Sequence, residues 1–113
     1  MSDACLFCEI VAKRVPATIL REDDHTLAFP DIAPVAPFHA LVIPKRHLAA
    51  WRDVDDAQLA SALFRACAAV AKDAGHDDGG YRIVANTGPG AGQSVRHLHL
   101  HVLGGRRFAW PPG

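Results

Sequence analysis

His97-Leu98-His99-Leu100-His101-Val102-Leu103 alternates three histidines with aliphatic residues. Strict alternation is the period of a β-strand, so the three imidazoles are expected on one face while Leu98, Leu100 and Val102 point into a core. Residues on one strand face stand roughly 6.6 Å apart, which puts His97 and His101 about 13 Å from each other. A zinc ion holds nitrogens at about 2.1 Å. Two neighbours in the row could share such an ion but hardly all three, so acid/base or nucleophilic chemistry is the expected use of the row.

The approach to this strand is Gly88-Pro89-Gly90-Ala91-Gly92-Gln93-Ser94. A glycine-rich loop with a serine hydroxyl can turn backbone amides toward an anion, and phosphate is the natural anion for such a place. Taken alone the loop reads first as a tight turn. Joined to the histidine row, it reads as one wall of a phosphate site.

Outward from this point the chain falls into short elements. Leu6 to Ala12 reads as an N-terminal helix that ends before Pro16. Thr18 to Glu22 and Thr26 to Phe29 read as strands around the Asp23-Asp24 turn, and Ala40 to Pro44 as a buried strand. Asp55 with Gln58 is a capping-box pair, after which Leu59, Leu63, Ala66, Cys67, Val70 and Ala74 keep helical spacing until Gly75. Tyr81 to Asn86 and His97 to Leu103 complete five strands. The expected class is α+β, a five-stranded sheet packed on one main helix and one short N-terminal helix.

The 113 residues fit one domain, taken as 1–113, with enough chain for one core. Twelve basic residues balance twelve acidic ones, so no nucleic acid polymer is indicated and any phosphate site must be local. The apolar runs are too short to span a membrane, and Met1 to Phe7 lacks a signal-peptide layout, so a soluble, cytoplasmic protein is expected. Cys67 sits in the helical pattern as a small hydrophobe. Cys5 and Cys8 form a Cys-x-x-Cys pair, which indicates metal or redox chemistry without deciding between them.

Gly92-Gln93-Ser94-Val95 followed by the alternating histidines resembles the signature of the histidine triad (HIT) superfamily. Gly104-Gly105-Arg106 with Trp110-Pro111-Pro112-Gly113 is similar to its Hint branch, the purine nucleoside phosphoramidases, and Asp31-Ile32-Ala33-Pro34 and His39 to His47 extend the match. The resemblance implies a single HIT domain with an antiparallel sheet and a homodimer whose tail reaches the partner's active site. It also implies hydrolysis of the P–N bond in purine nucleoside monophosphate conjugates through a nucleotidyl-histidine.

Carried onto this chain, the resemblance makes His99 the nucleophile. His101 and Ser94 hold phosphate oxygens, His39 supports the triad that begins at His97, and Asp31 takes the ribose hydroxyls. Leu6, Phe7, Ile10, Phe29, Ile32 and Leu41 form the purine slot, while Asn86, Gly92 and Gln93 join Ser94 around the phosphate. The bland alternatives are a core histidine at His39, a turn aspartate at Asp31, a turn residue at Asn86 and plain core for the slot. His25 and His76 match no site residue and are expected on the surface.

Some microbial relatives carry a zinc site that would here be Cys5, Cys8, His47 and His97. Two thiolates and two imidazoles close a tetrahedral shell, so such a zinc would be structural and catalysis would need no cofactor. Arg96 departs from the aromatic residue usual beside the triad, and the loop lacks the acidic residues of animal relatives. The competing functions are a dinucleotide hydrolase or nucleotidyl transferase of a sister branch, a nucleotide-binding interaction module, and a zinc-binding adaptor.

Overall fold

A computed structural model describes residues 5–113, so part of the Met1 to Phe7 stretch lies outside the described residues. The elements are α1 (Leu6–Val11), β1 (Arg21–Glu22), β2 (Thr26–Pro30), β3 (Phe38–Pro44), α2 (Ala57–Asp73), β4 (Tyr81–Val84) and β5 (Leu100–Gly104), with single 3-10 turns at Trp51–Asp53 and Pro89–Ala91. All five strands pair antiparallel in the order β1-β2-β3-β5-β4. The expected α+β class and element inventory are borne out.

Central β3 explains its own composition. Ala40 and Val42 face α2, meeting Leu63, Cys67 and Val70, while Leu41 and Ile43 face the other way toward Phe7 and Ile10 of α1. A strand buried on both faces must be apolar without alternation, and Ala40-Leu41-Val42-Ile43 is. The two helices therefore cover opposite faces of the sheet, each over its own apolar cluster. Leu63 is wholly buried in the α2 layer, where truncation to alanine costs about 2–5 kcal/mol.

Helix α2 begins one residue later than the spacing suggests. Its cap is Asp56, whose carboxylate accepts the Gln58 amide at 2.9 Å, while Asp55 stays exposed near Arg46. Two adjacent aspartates offer the same side chain, and only the backbone turn selects between them. The end is as expected: Gly75 turns to φ +87, with Gly75 N–H bonding to Lys72 and His76 N–H to Ala71. These two bonds form a Schellman motif.

Three strands are shorter than their patterns. β1 keeps only Arg21–Glu22 of the expected Thr18 to Glu22, although Leu20 N–H still reaches the Ala28 carbonyl. β4 stops at Val84 instead of Asn86. β5 starts at Leu100, because its neighbour β3 ends at Pro44, which has no amide proton to extend the ladder. Leu98 N–H instead bonds to the Leu48 carbonyl. The alternation survives this break: Leu98 is buried in the α2 cluster, and His97 and His99 pack edge-on against Phe7 on the opposite side.

His76 corrects its surface assignment. It is half-buried, its ring 5.1 Å from that of Phe38 and so close to Gly104 that a Cβ there would lie 2.9 Å from the imidazole. Glycine at 104 is what allows β5 to pass beneath that ring.

Candidate functional site

On the α1 side of the sheet lies a cavity of about 510 Å³. His99 and His101 form its reactive wall, and Ser94 and Asp31 stand at its border. Phe7, Ile10, Phe29 and Leu41 give it a buried apolar lining, while Leu6 and Ile32 edge it from exposed positions. Ile32 is 96% exposed. A large aliphatic side chain held bare beside an apolar cavity extends its apolar surface outward.

Each imidazole has its tautomer fixed by its partner. His99 Nδ1 lies 2.7 Å from the His97 carbonyl oxygen, which can only accept, so Nδ1 carries the proton and Nε2 keeps its lone pair. His39 is set the opposite way: the Val35 N–H donates to Nδ1 at 3.1 Å, leaving the proton on Nε2. That N–H lies 2.9 Å from His101 Nδ1 and 3.3 Å from Asp31 Oδ2. His101 then accepts at Nδ1 and retains N–H at Nε2.

Burial, reinforced by His99 and His39, pushes His101 down to about 4, and burial also lowers His39 against the pull of Asp31. Both are neutral at pH 7. A neutral imidazole can donate one hydrogen bond to an incoming phosphoryl oxygen. Asp31 has a second task, since its Oδ1 accepts the Ala33 N–H at 2.8 Å and holds the turn that carries Ile32.

His97 belongs to a different constellation. Its Nε2 lies 3.0 Å from the Pro44 carbonyl oxygen and so carries the proton, which turns the Nδ1 lone pair toward Cys5, Cys8 and His47. His97 Nδ1 is 3.3 Å from Cys5 Sγ, 3.5 Å from Cys8 Sγ and 3.1 Å from His47 Nδ1, and Cys8 Sγ is 3.2 Å from His47 Nδ1. Edges of a tetrahedral zinc shell with N and S ligands are roughly 3.3–3.8 Å from the bond lengths involved.

The four donors sit close enough together to hold one metal ion. Burial and then the neighbouring Cys5 push the Cys8 thiol up to about 11, so an added cation is what would favour the thiolate. α1 builds half of this cluster, for Cys5 caps the helix by accepting the Cys8 N–H at 3.3 Å. Asp31, His39 and His101 also cluster. There the His39 Nε2 proton occupies the position that a metal would need.

Other expected residues lie elsewhere. Gln93 braces the loop, its amide donating to the Ala49 and Val95 carbonyls and its oxygen accepting the Gly88 N–H, and Gly92 supplies a left-handed turn at φ +81. Neither lines the cavity, nor does Asn86. Asn86 stands just past the end of β4, at the strand-to-loop junction. Conversely, Val15, Pro16, Ala17, Thr18, Pro30 and Val95 line the cavity without having been anticipated. The segment from Val15 to Thr18 has no period of its own, and only the packing of α1 brings it there.

The HIT domain family model matches residues 12–108. An uncharacterized HIT-like protein of Synechococcus elongatus is 47% identical over 115 residues, covering all of both chains. Among solved structures, a HIT family hydrolase from Legionella pneumophila Philadelphia 1 superposes with a TM-score of 0.93 at 46% identity, covering 97% of this chain and 100% of that one. The histidine triad nucleotide-binding protein of Candida albicans gives 0.84 at 30% identity, covering 96% and 83% respectively.

Proposed function

Because the chain belongs to the HIT domain family, we propose that it is a hydrolase of purine nucleoside phosphoramidates, cleaving the P–N bond through a nucleotidyl-histidine. The observation that carries this reading is the tautomer of His99. With Nδ1–H tied to the His97 carbonyl, the Nε2 lone pair is the nucleophile. It bonds to the α-phosphorus as the P–N electrons leave with the amine nitrogen. That nitrogen takes a proton from the donors around it, the Ser94 hydroxyl and the His101 N–H. Water then attacks phosphorus, freeing the nucleoside monophosphate, restoring the Nε2 lone pair and returning the borrowed proton.

Phosphoryl transfer asks for alignment and charge stabilisation more than for a strong base. His101 Nε2–H and Ser94 supply donors to the nonbridging oxygens. His39 positions His101 by the 2.9 Å bond. Asp31 offers its carboxylate to the ribose hydroxyls, and the ring slot from Phe7 and Phe29 to Ile32 receives the purine. The nucleotide-binding relative from Candida supports a nucleotide ligand, and the Legionella hydrolase supports a hydrolytic outcome.

Zinc is the metal we assign to Cys5, Cys8, His47 and His97, in a structural role. It would tie α1 to the loop after β3 and leave His99 free. We also take the assembly to be a homodimer. β4 leaves its outer edge without a partner strand among the described residues, and Phe64 on α2 and Trp110 in the tail are exposed.

The test is turnover on adenosine 5′-phosphoramidate and its guanosine counterpart beside a dinucleoside polyphosphate. Faster hydrolysis of the phosphoramidates supports the reading. Preference for the dinucleotide assigns the chain to the sister chemistry, and nucleotide binding without turnover of either makes it an interaction module.

A further inference from the structure

Helix α1 and its cap have two jobs, divided among neighbouring residues. Cys5 and Cys8 turn toward His47 and His97, while Leu6, Phe7 and Ile10 line the cavity that holds His99. The ring of Phe7 joins the two, 5.7 Å from the His97 ring and 5.3 Å from that of His99. The helix is only six residues long. A helix of that length does not hold itself together in water, so its place over the sheet depends on what anchors it. One anchor is the packing of Phe7 and Ile10 with Phe29 and Leu41. The other is sulfur: Cys5 Sγ is 3.3 Å from His97 Nδ1, and Cys8 Sγ is 3.2 Å from His47 Nδ1.

The same two sulfurs are a dithiol. Cys5 Sγ accepts the Cys8 N–H at 3.3 Å, and all four donor atoms of the cluster lie within 4.8 Å of one another. A disulfide needs its sulfurs about 2.0 Å apart, a gap that side-chain rotation within one turn of chain can close. Both cysteines are half-buried and so within reach of a small oxidant. Cys67 is not, being wholly enclosed in the α2 layer, where burial pushes its thiol up to about 12. When bound, a cation among the four donors keeps Cys5 and Cys8 as thiolates, the form that reacts with peroxide.

We propose that Cys5 and Cys8 are a reversible redox-modification site, closed into a disulfide by hydrogen peroxide, and that closure loosens α1 from the nucleotide cavity. One thiolate attacks a peroxide oxygen and the O–O bond breaks, giving a sulfenic acid and a hydroxide that takes up a proton. The second thiolate attacks that sulfur, forming the S–S bond and displacing a second hydroxide, which is protonated in turn. Two electrons pass from the sulfurs to the peroxide, leaving one disulfide and two waters. His47 and His97 then lose both sulfur partners, and two imidazoles alone do not complete a tetrahedral zinc site. The loss of zinc rests on the assignment made above; the closure of the pair does not. The Cys-x-x-Cys pair thereby serves metal and redox chemistry in turn.

The test compares the full chain before and after hydrogen peroxide. Peptide mass spectrometry after thiol alkylation in denaturant is expected to find a Cys5–Cys8 disulfide and a free Cys67. Hydrogen exchange should quicken at the α1 amides of Glu9 and Ala12, which bond to the Cys5 and Cys8 carbonyls at 3.0 Å. AMP affinity should fall at least about tenfold, the scale of one apolar side chain withdrawn from the base. A thiol reductant with added zinc should restore both, and Cys67→Ala should respond in the same way. Faster α1 exchange in a protein that binds AMP in neither state sustains the switch and removes the nucleotide reading. The same switch in a protein that never held zinc removes only the zinc assignment. Cys5 and Cys8 that stay alkylatable under peroxide would overturn the proposal, and zinc retained in that protein leaves its own assignment standing. A disulfide that leaves α1 exchange or a measurable AMP affinity unchanged, or a response that disappears in Cys67→Ala, would overturn it as well.

Discussion

His99 Nδ1 stands 2.7 Å from the backbone carbonyl oxygen of His97. Two alternate residues of one segment thereby divide the work: the backbone of His97 sets the proton of His99, and the side chain of His97 faces the cysteines. The row of three imidazoles is one stretch of chain serving two sites. His99 and His101 line the cavity, and His97 belongs to the four-donor cluster that could hold a metal ion.

His101 should matter less than its neighbour. Its N–H stabilises charge without entering a covalent bond, so His101→Ala is expected to lower kcat by about 10²–10³, the usual cost of one lost oxyanion donor. His99→Ala should fall below detection. Steady-state kinetics on adenosine 5′-phosphoramidate decide this, and the reverse ranking would exchange the two roles.

Asp31 carries a prediction about the sugar. Its Oδ1 is engaged with the Ala33 amide and its Oδ2 is 3.3 Å from His39, so the carboxylate is oriented before any ligand arrives. Asp31→Asn should weaken ribonucleotides at least about tenfold, the scale of one charged hydrogen bond, and 2′,3′-dideoxynucleotides much less. Binding assays that show equal losses would make Asp31 a positioning residue for His39 alone.

The cysteine and histidine cluster predicts metal content. Protein purified without chelators should hold one zinc per chain by elemental analysis, and Cys8→Ser should lose it together with thermal stability. A closed four-donor site contributes folding energy, so a chelator should lower the melting temperature of the unmodified protein and leave that of Cys8→Ser unchanged. Zinc-free protein with an unaltered melting temperature contradicts the assignment.

Stability should fall with acid in a defined window. Burial, chiefly, holds His101 down to about 4, whereas the unfolded imidazole takes up its proton near 6.5. Between these values the unfolded chain binds the extra proton, so the stability associated with neutral His101 is complete above about 6.5 and is lost as pH falls toward 4. His39 shifts in the same direction. His101→Gln should therefore show a smaller drop in melting temperature between pH 7 and pH 5 than the unmodified protein; equal drops would contradict it.

What the sequence revealed and what it concealed divide along a physical line. Alternation in the histidine row and the spacing of Leu59, Leu63 and Cys67 are written by burial, and both faces emerged as read. The extent of the ladders is written by partners. β5 begins at Leu100 because Pro44 lies on another strand, and no inspection of the His97 to Leu103 stretch by itself could reveal it. Cys5, Cys8, His47 and His97 come together from four separate positions, a constellation legible through resemblance and not through local pattern.

Other residues follow the same line. Gln93 braces the glycine loop by spending its amide on the Ala49 and Val95 carbonyls, partners that local pattern does not show. His76 was unreadable because its partners, Phe38 and Gly104, are distant in sequence. Val15 to Thr18 enter the cavity wall with no periodic signal at all.

In the proposed reaction His99 Nε2 forms a bond to phosphorus. Rapid quenching of the enzyme with adenosine 5′-phosphoramidate into alkaline denaturant, followed by intact-mass and peptide mass spectrometry, tests it directly. One adenylyl group is expected on the peptide carrying His99, formed and lost at rates that match turnover, with no adduct in His99→Asn. Turnover with no adduct at His99, or an adduct on another residue that keeps pace with turnover, would contradict it.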